Sequence, residues 1–132
     1  MAYTFQICDG VIEMSLQGKI NWQDFRELLQ KTEEVEARLP VTPNRITDMR
    51  DADVSELLSS DVAALAHIRR TAKLKNKIKS AIIATKPEHH GLARVFMGIN
   101  QNPDISIMLF KDPATARAWL GGGKPTPNTP PA

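Results

Sequence analysis

Residues 80–110 read SAIIATKPEHHGLARVFMGINQNPDISIMLF, an apolar run of strand length, a helix opened by proline, and a second apolar run. Pro87 suits the first turn of a helix, where its missing N–H is not needed. Leu92, Val95, Phe96 and Ile99 then recur at offsets 0, 3, 4 and 7, one face of a helix. Ser80 to Thr85 and Ile105 to Phe110 are apolar on both faces, so helices should cover both sides of the sheet. Beyond the second strand, Asp112 and Pro113 form a cap and a first-turn proline. Ala116, Trp119 and Leu120 turn one face inward before Gly121 ends the helix.

Toward the N-terminus the periodicity changes to two. Tyr3, Phe5 and Ile7 alternate with polar residues, as do Ile12, Met14 and Leu16, with Asp9-Gly10 between them. Asp-Gly tolerates the positive φ angles of a two-residue type I′ turn, so this is an antiparallel hairpin, ended by Gly18. Asn21 can cap a helix whose stripe is Trp22, Phe25, Leu28, Leu29, Val35 and Leu39, stopped by Pro40 and Pro43. A short strand follows near Arg45 to Met49. Next comes a helix from about Ser60 with Val62, Leu65, Ala66, Ile68 and Ala72 inward. The order β-β-α-β-α-β-α-β-α implies an α/β domain built on a mixed, mainly parallel five-stranded sheet.

The chain has 132 residues, with 17 Lys and Arg against 15 Asp and Glu, a net charge of +2, and one cysteine, Cys8. That is one domain, able to remove roughly 65 to 70% of its unfolded surface from water without disulfide or structural zinc. Residues 1–120 are read as this domain and 121–132 as a disordered Gly/Pro-rich tail, seven of those twelve residues being Gly or Pro. No apolar stretch approaches the roughly 18 residues of a membrane helix, and no signal-like N-terminus precedes the hairpin. The reading is a soluble, cytoplasmic protein with no membrane insertion.

The hairpin, the segment Gly91-Leu92-Ala93-Arg94-Val95-Phe96 and the closing pattern Phe110, Asp112, Ala116, Trp119, Leu120 resemble the SpoIIAA-like proteins of the STAS superfamily. STAS names the sulfate transporter and anti-sigma-factor antagonist domain, and the resemblance spans residues 3 to 120. It implies a non-enzymatic switch that binds a kinase-type anti-sigma factor or another protein regulator and is turned off by phosphorylation of a serine at a helix start. The matching positions are Ser59 and Ser60, in Leu57-Leu58-Ser59-Ser60-Asp61-Val62. This stretch departs from the family's pattern of Asp-Ser followed by a small residue and Gly. A phosphate there would meet free backbone N–H groups while adding about two negative charges to an interface fitted to a hydroxyl. The alternative is that Ser60 is the N-cap and Asp61 a first-turn acid. Asp48, Asp61, Arg69 and Arg70 are the candidate interaction surface, and a homodimer is compatible with this reading.

Arg69, Arg70, Lys73, Lys75, Lys77 and Lys79 form a basic run without an intervening acid. It reads either as a solvated helix end or as a dock for an anionic partner. Nucleic acid is not expected, because exposed stacking aromatics and a recognition helix are missing. His89 and His90 diverge by about 100° on a helix and lack a partner at metal-ligand spacing, so no metal or cofactor is expected. His89, His90, Glu88 and Asp48 could gather at the carboxyl edge of the sheet, but no nucleophile elbow or phosphate loop accompanies them, and the chain is read as not an enzyme. Gly91 and Gly98 indicate close packing of their helix on the sheet or, as the resemblance of the SpoIIAA-like fold to the CRAL-TRIO lipid carriers would allow, a gap admitting an acyl chain, with Met14, Met97 and Met108 as adaptable lining. A carrier or sensor of a small apolar ligand is therefore the second reading.

Overall fold

The turn dipeptide forms the hairpin its chemistry requires. In the computed structural model, which describes residues 2–121, β1 (Tyr3–Cys8) and β2 (Val11–Lys19) pair antiparallel, with Asp9 at φ 52° and Gly10 at φ 74°. Ile12, Met14 and Leu16 are buried, as their alternation predicts, whereas Ile7, close to the turn, is 41% exposed. The tail expectation, apart from Gly121, lies outside the described residues.

Helices and strands then alternate: α1 (Trp22–Arg38), β3 (Asn44–Asp53), α2 (Ser59–Arg70), β4 (Ile78–Ile83), α3 (Pro87–Asn100), β5 (Ile105–Phe110) and α4 (Pro113–Leu120). The five strands lie side by side in chain order, and every pair after the hairpin is parallel. Each crossover steps one strand in the same direction, so crossovers of one hand put α1, α2 and α3 on one face. Packing agrees: Ile82 faces the core shared with α1, α2 and α3, while Ala81 and Ile83 face Phe110 and Ala116 on the α4 side. Strand β4 is thus buried on both faces, as its composition requires.

Both β2 and β3 outrun the sequence reading. Gly18 does not end β2 but lies within it at φ 67°, a conformation that favours glycine. Strand β3 continues past Met49 to Asp53 because its second half has a neighbour on one side only. Asp48 is the last residue opposite β4, whereas Asp51, Ala52 and Asp53 still pair with β2. Water on the free edge accommodates the charges. Between Ser15 and Gln17 of β2 the register slips by one residue of β3, a bulge.

Helix α1 begins with the expected Asn21 cap, completed reciprocally by Asp24. Tyr3 ties β1 to it by donating its hydroxyl to Glu27 at 2.9 Å. Helix α4 is tied to β2 by Arg117, which donates twice to Glu13 at 2.9 Å. Those donors, against the opposing effect of burial, hold the Glu13 carboxyl below its ordinary range. The unfolded chain then binds more protons than the folded one in acid, so this contribution to stability is complete above the ordinary glutamate value and is lost as pH falls through the lowered one. Glu13→Gln is accordingly expected to flatten the fall in unfolding free energy between about pH 5 and pH 3, measured by urea denaturation. An unchanged slope would show that the pair leaves the acid response untouched.

Candidate functional site

The chain enters α2 through two leucines with opposite fates. Leu57 is buried and Leu58 is 64% exposed, in the N-cap position. A leucine side chain cannot cap, and the helix start is held instead by Asp61, whose carboxylate accepts the Leu58 N–H at 3.0 Å. Ser60 is therefore not the N-cap; Ser59 and Ser60 occupy the first two helical positions, both exposed. With Leu58 they make a small apolar and hydroxyl-bearing patch where backbone N–H groups point outward.

The four candidate surface residues do not share one surface. Asp61 and Arg70 stand at opposite ends of α2, separated by about 13 Å of helix rise. Asp48 lies on the α4 side of the sheet, where it secures the bulge: its carboxylate accepts the Arg50 backbone N–H at 3.0 Å and the Arg50 guanidinium at 2.8 Å. Burial raises the Asp48 carboxyl, but the Arg50 donors outweigh it and hold the group below its usual range. Arg69 is withdrawn from the surface altogether. It is 3% exposed and donates to both oxygens of Glu36 at 2.9 and 2.8 Å.

That withdrawal leads to an arrangement the sequence reading missed. Arg45, at the start of β3, is also buried, and its Nη2 lies 3.9 Å from the same Glu36. Two guanidinium groups thus share one carboxylate. Burial, and then the charge of Arg69, push Arg45 down to about 9, with Glu36 pulling the other way. At about 9 Arg45 is still charged at neutral pH, and two guanidinium groups against one carboxylate leave a surplus of one positive charge. The Nε atoms of Arg45 and Arg69 are buried without a hydrogen-bond partner among the described residues, as is Oδ1 of Asn100.

All three residues border a cavity of about 120 Å³ between the sheet and α1, α2 and α3. Its remaining wall is mainly aliphatic and aromatic, including Met14, Leu16, Met49, Leu65, Leu92 and Phe96. Of the three methionines expected in such a lining, only Met14 takes part; Met108 packs on the α4 side. Gly91 and Gly98 have no role in it. Both face solvent, and a Cβ at either would meet nothing within 4 Å, so neither close packing nor a gap explains them.

The histidines act as fasteners. His89 is fully buried with Nε2 2.8 Å from the Ala52 carbonyl, and His90 Nε2 is 3.0 Å from that of Ala84. The carbonyls accept from the rings, so the first turn of α3 is pinned to the ends of β3 and β4. Glu88 is exposed beside Lys86, Asp51 and Asp53, and the four candidate acid and base residues do not converge. Among the described residues no cluster of three or more His, Cys, Asp or Glu side chains could hold a metal, and no helix is long and apolar enough to cross a membrane.

Half of the basic run is likewise used internally. Lys75 donates to the carbonyls of Ala37 and Leu39 at the end of α1. Lys79 donates to the Trp119 carbonyl, its ammonium 5.3 Å from that indole's centroid. With Arg69 buried, Arg70, Lys73 and Lys77 are the exposed remainder.

Among solved structures the chain is similar to an uncharacterized protein of the DUF3478 family with a SpoIIAA-like fold from Shewanella loihica PV-4, at a TM-score of 0.60. The match covers 90% of this chain and 92% of that one. This chain has a SpoIIAA-like fold. At 18% identity the likeness extends to the fold and not to a shared activity. No family model and no curated protein sequence matches the chain. The chain's distinguishing chemistry lies in two places, the exposed start of α2 and the arginine-lined cavity between the sheet and α1, α2 and α3.

Proposed function

We propose that this SpoIIAA-like domain is a non-enzymatic regulatory module that acts by contact with a protein partner through the start of α2. The observation that carries the reading is Leu58, a large apolar side chain 64% exposed where a polar cap would ordinarily stand, flanked by two exposed serines. An apolar anchor ringed by hydroxyl and carboxylate groups suits a protein interface better than a catalytic cleft. The partner is a kinase-type anti-sigma factor or another regulator, and Ser59 and Ser60 are the phosphoacceptors through which such a partner would switch the contact off.

The test is affinity capture from the host with three full-length baits. Leu58→Asp is expected to reduce recovery of the partner roughly 30-fold, the effect of a hot-spot side chain worth about 2 kcal/mol. Because Asp is a better N-cap than Leu, folding is not impaired by the change. Ser60→Asp, mimicking the phosphorylated state, is expected to act in the same direction, and Lys111→Ala, in the exposed loop before α4, to leave recovery unchanged. Equal recovery by all three removes this face from the interface. Intact-mass analysis after incubation with the captured partner and ATP reads phosphorylation directly, and an unmodified chain removes the switch.

A further inference from the structure

The surplus positive charge inside the fold has no counterion among the described residues. Arg45 and Arg69 are both more than nine-tenths buried, they share the single carboxylate of Glu36, both line the cavity, and the buried Nε of each has no hydrogen-bond partner among the described residues. Buried guanidinium groups are costly unless their donors are used, and mutual repulsion adds to the cost. An anion entering the cavity would neutralise the cluster and accept those N–H groups. One negative charge completes the balance, whereas a dianion would overshoot it. Asn100 offers Oδ1 on the same wall and, with its amide turned over, a further donor. The rest of the wall is apolar, so the anion must carry a hydrocarbon tail. An apolar cavity of roughly 150 Å³ accommodates benzene, so about 120 Å³ takes the head group and first carbons of such a chain, and the rest of a six-carbon tail lies in the opening bordered by Leu29, Leu65, Leu92 and Phe96. Leu29, Leu65, Leu92 and Phe96 are only partly buried, which gives such a tail a route inward between the helices.

We infer that the cavity between the sheet and the three helices is a binding site for a medium-chain aliphatic carboxylate, its head group on Arg45 and Arg69 and its tail against the aliphatic wall. This site is separate from the start of α2, and its test is independent of partner capture. The full-length chain is titrated calorimetrically with hexanoate, 1-hexanol and acetate at neutral pH. Hexanoate is expected to bind at least 10-fold more tightly than hexanol, which lacks the charge, and than acetate, which lacks the tail. Arg45→Met leaves the neutral Arg69–Glu36 pair in place, so it is expected to bring hexanoate down to the affinity of hexanol. Should that variant not fold, Ala93→Leu, which fills the cavity from α3, is expected to abolish hexanoate binding with the arginines intact. Equal affinity for hexanoate and hexanol would show an apolar pocket without a head-group site. Equal affinity for hexanoate and acetate would show an anion site without a tail site. Absence of binding by hexanoate would mean that solvent alone meets the arginines; each of these results overturns the inference.

Discussion

Glu36→Ala is expected to lower the unfolding free energy by about 3–5 kcal/mol, because it removes the one carboxylate between two buried guanidinium groups. Both oxygens of Glu36 are occupied by Arg69 and one also faces Arg45, and the side chain is only 12% exposed. Losing a surface ion pair of the same length would cost at most about 1 kcal/mol, since water would take over the charges. Here water has little access, and the variant leaves two like charges facing one another. The complementary variant, Arg45→Met with Glu36→Leu and Arg69→Met, replaces the whole cluster by apolar side chains. It is expected to be as stable as the wild type or up to about 4 kcal/mol more stable. Urea denaturation followed by circular dichroism measures both. A loss below about 1 kcal/mol for Glu36→Ala would mean that the cluster is hydrated and electrostatically weak.

The contrast between those two variants bears on why the cluster exists. If apolar replacement is no less stable, the arginines are not there to hold the fold together. A buried surplus charge retained at a cost to stability points toward recognition of an anion, as the cavity's other features do.

How much of this was legible in the sequence depends on the kind of signal. Asp9-Gly10 dictated its turn, Asn21 and Asp112 their caps, and the two-sided apolar run of β4 its burial, because each is a local preference that tertiary contacts reinforce. Strand β5, equally apolar, lies at the sheet edge and is mostly half-buried, with Ser106 exposed. The spacing also contained the site, though it was read by residue type. Val62, Leu65, Ala66 and Arg69 are one helical stripe, as are Leu28, Thr32, Val35 and Glu36 on α1. The charge of Arg69 argues for exposure, so the sequence reading sets Ile68 inward on α2 and Arg69 at the surface, and it does not single out Glu36. The structure reverses this: Ile68 is 43% exposed and Arg69 3%. A charged residue can follow an apolar period when its counterion follows the facing one, and no local pattern reports which helix will face which. The length of β3 was hidden for a related reason. Its polar second half is stable only because a bulge and the edge of β4 leave it paired on one side.

The α4 face of the sheet shows how little redundancy the fold holds, and Phe110→Ala is expected to cost about 3–5 kcal/mol there. The buried part of that face consists of Ile46, Ala81, Ile83, Phe110 and Ala116, of which Phe110 is the largest, at 1% exposure. Its ring meets Trp119 of α4 at a centroid distance of 5.5 Å and a tilt of 44°, an aromatic contact worth about 0.5–1.5 kcal/mol beyond the area it buries. Trp119 is in turn held by Lys79. An eight-residue helix is too short to persist on its own propensity, so α4 exists because this contact and the Arg117 pair hold it to the sheet. Removing the Phe110 ring opens a cavity that small neighbours such as Ala81 and Ala116 cannot fill. Helix α4 should therefore loosen before the rest of the domain. In a Trp22→Phe background, where Trp119 is the remaining tryptophan, its emission is expected to shift to the red at urea concentrations that leave far-ultraviolet circular dichroism nearly unchanged. Coincident transitions by the two probes would show that α4 and the three-helix side unfold as one cooperative unit. A loss under about 2 kcal/mol would mean that α4 can settle onto the shortened side chain, which the parallel pairing of β4 and β5 beneath it leaves little freedom to do.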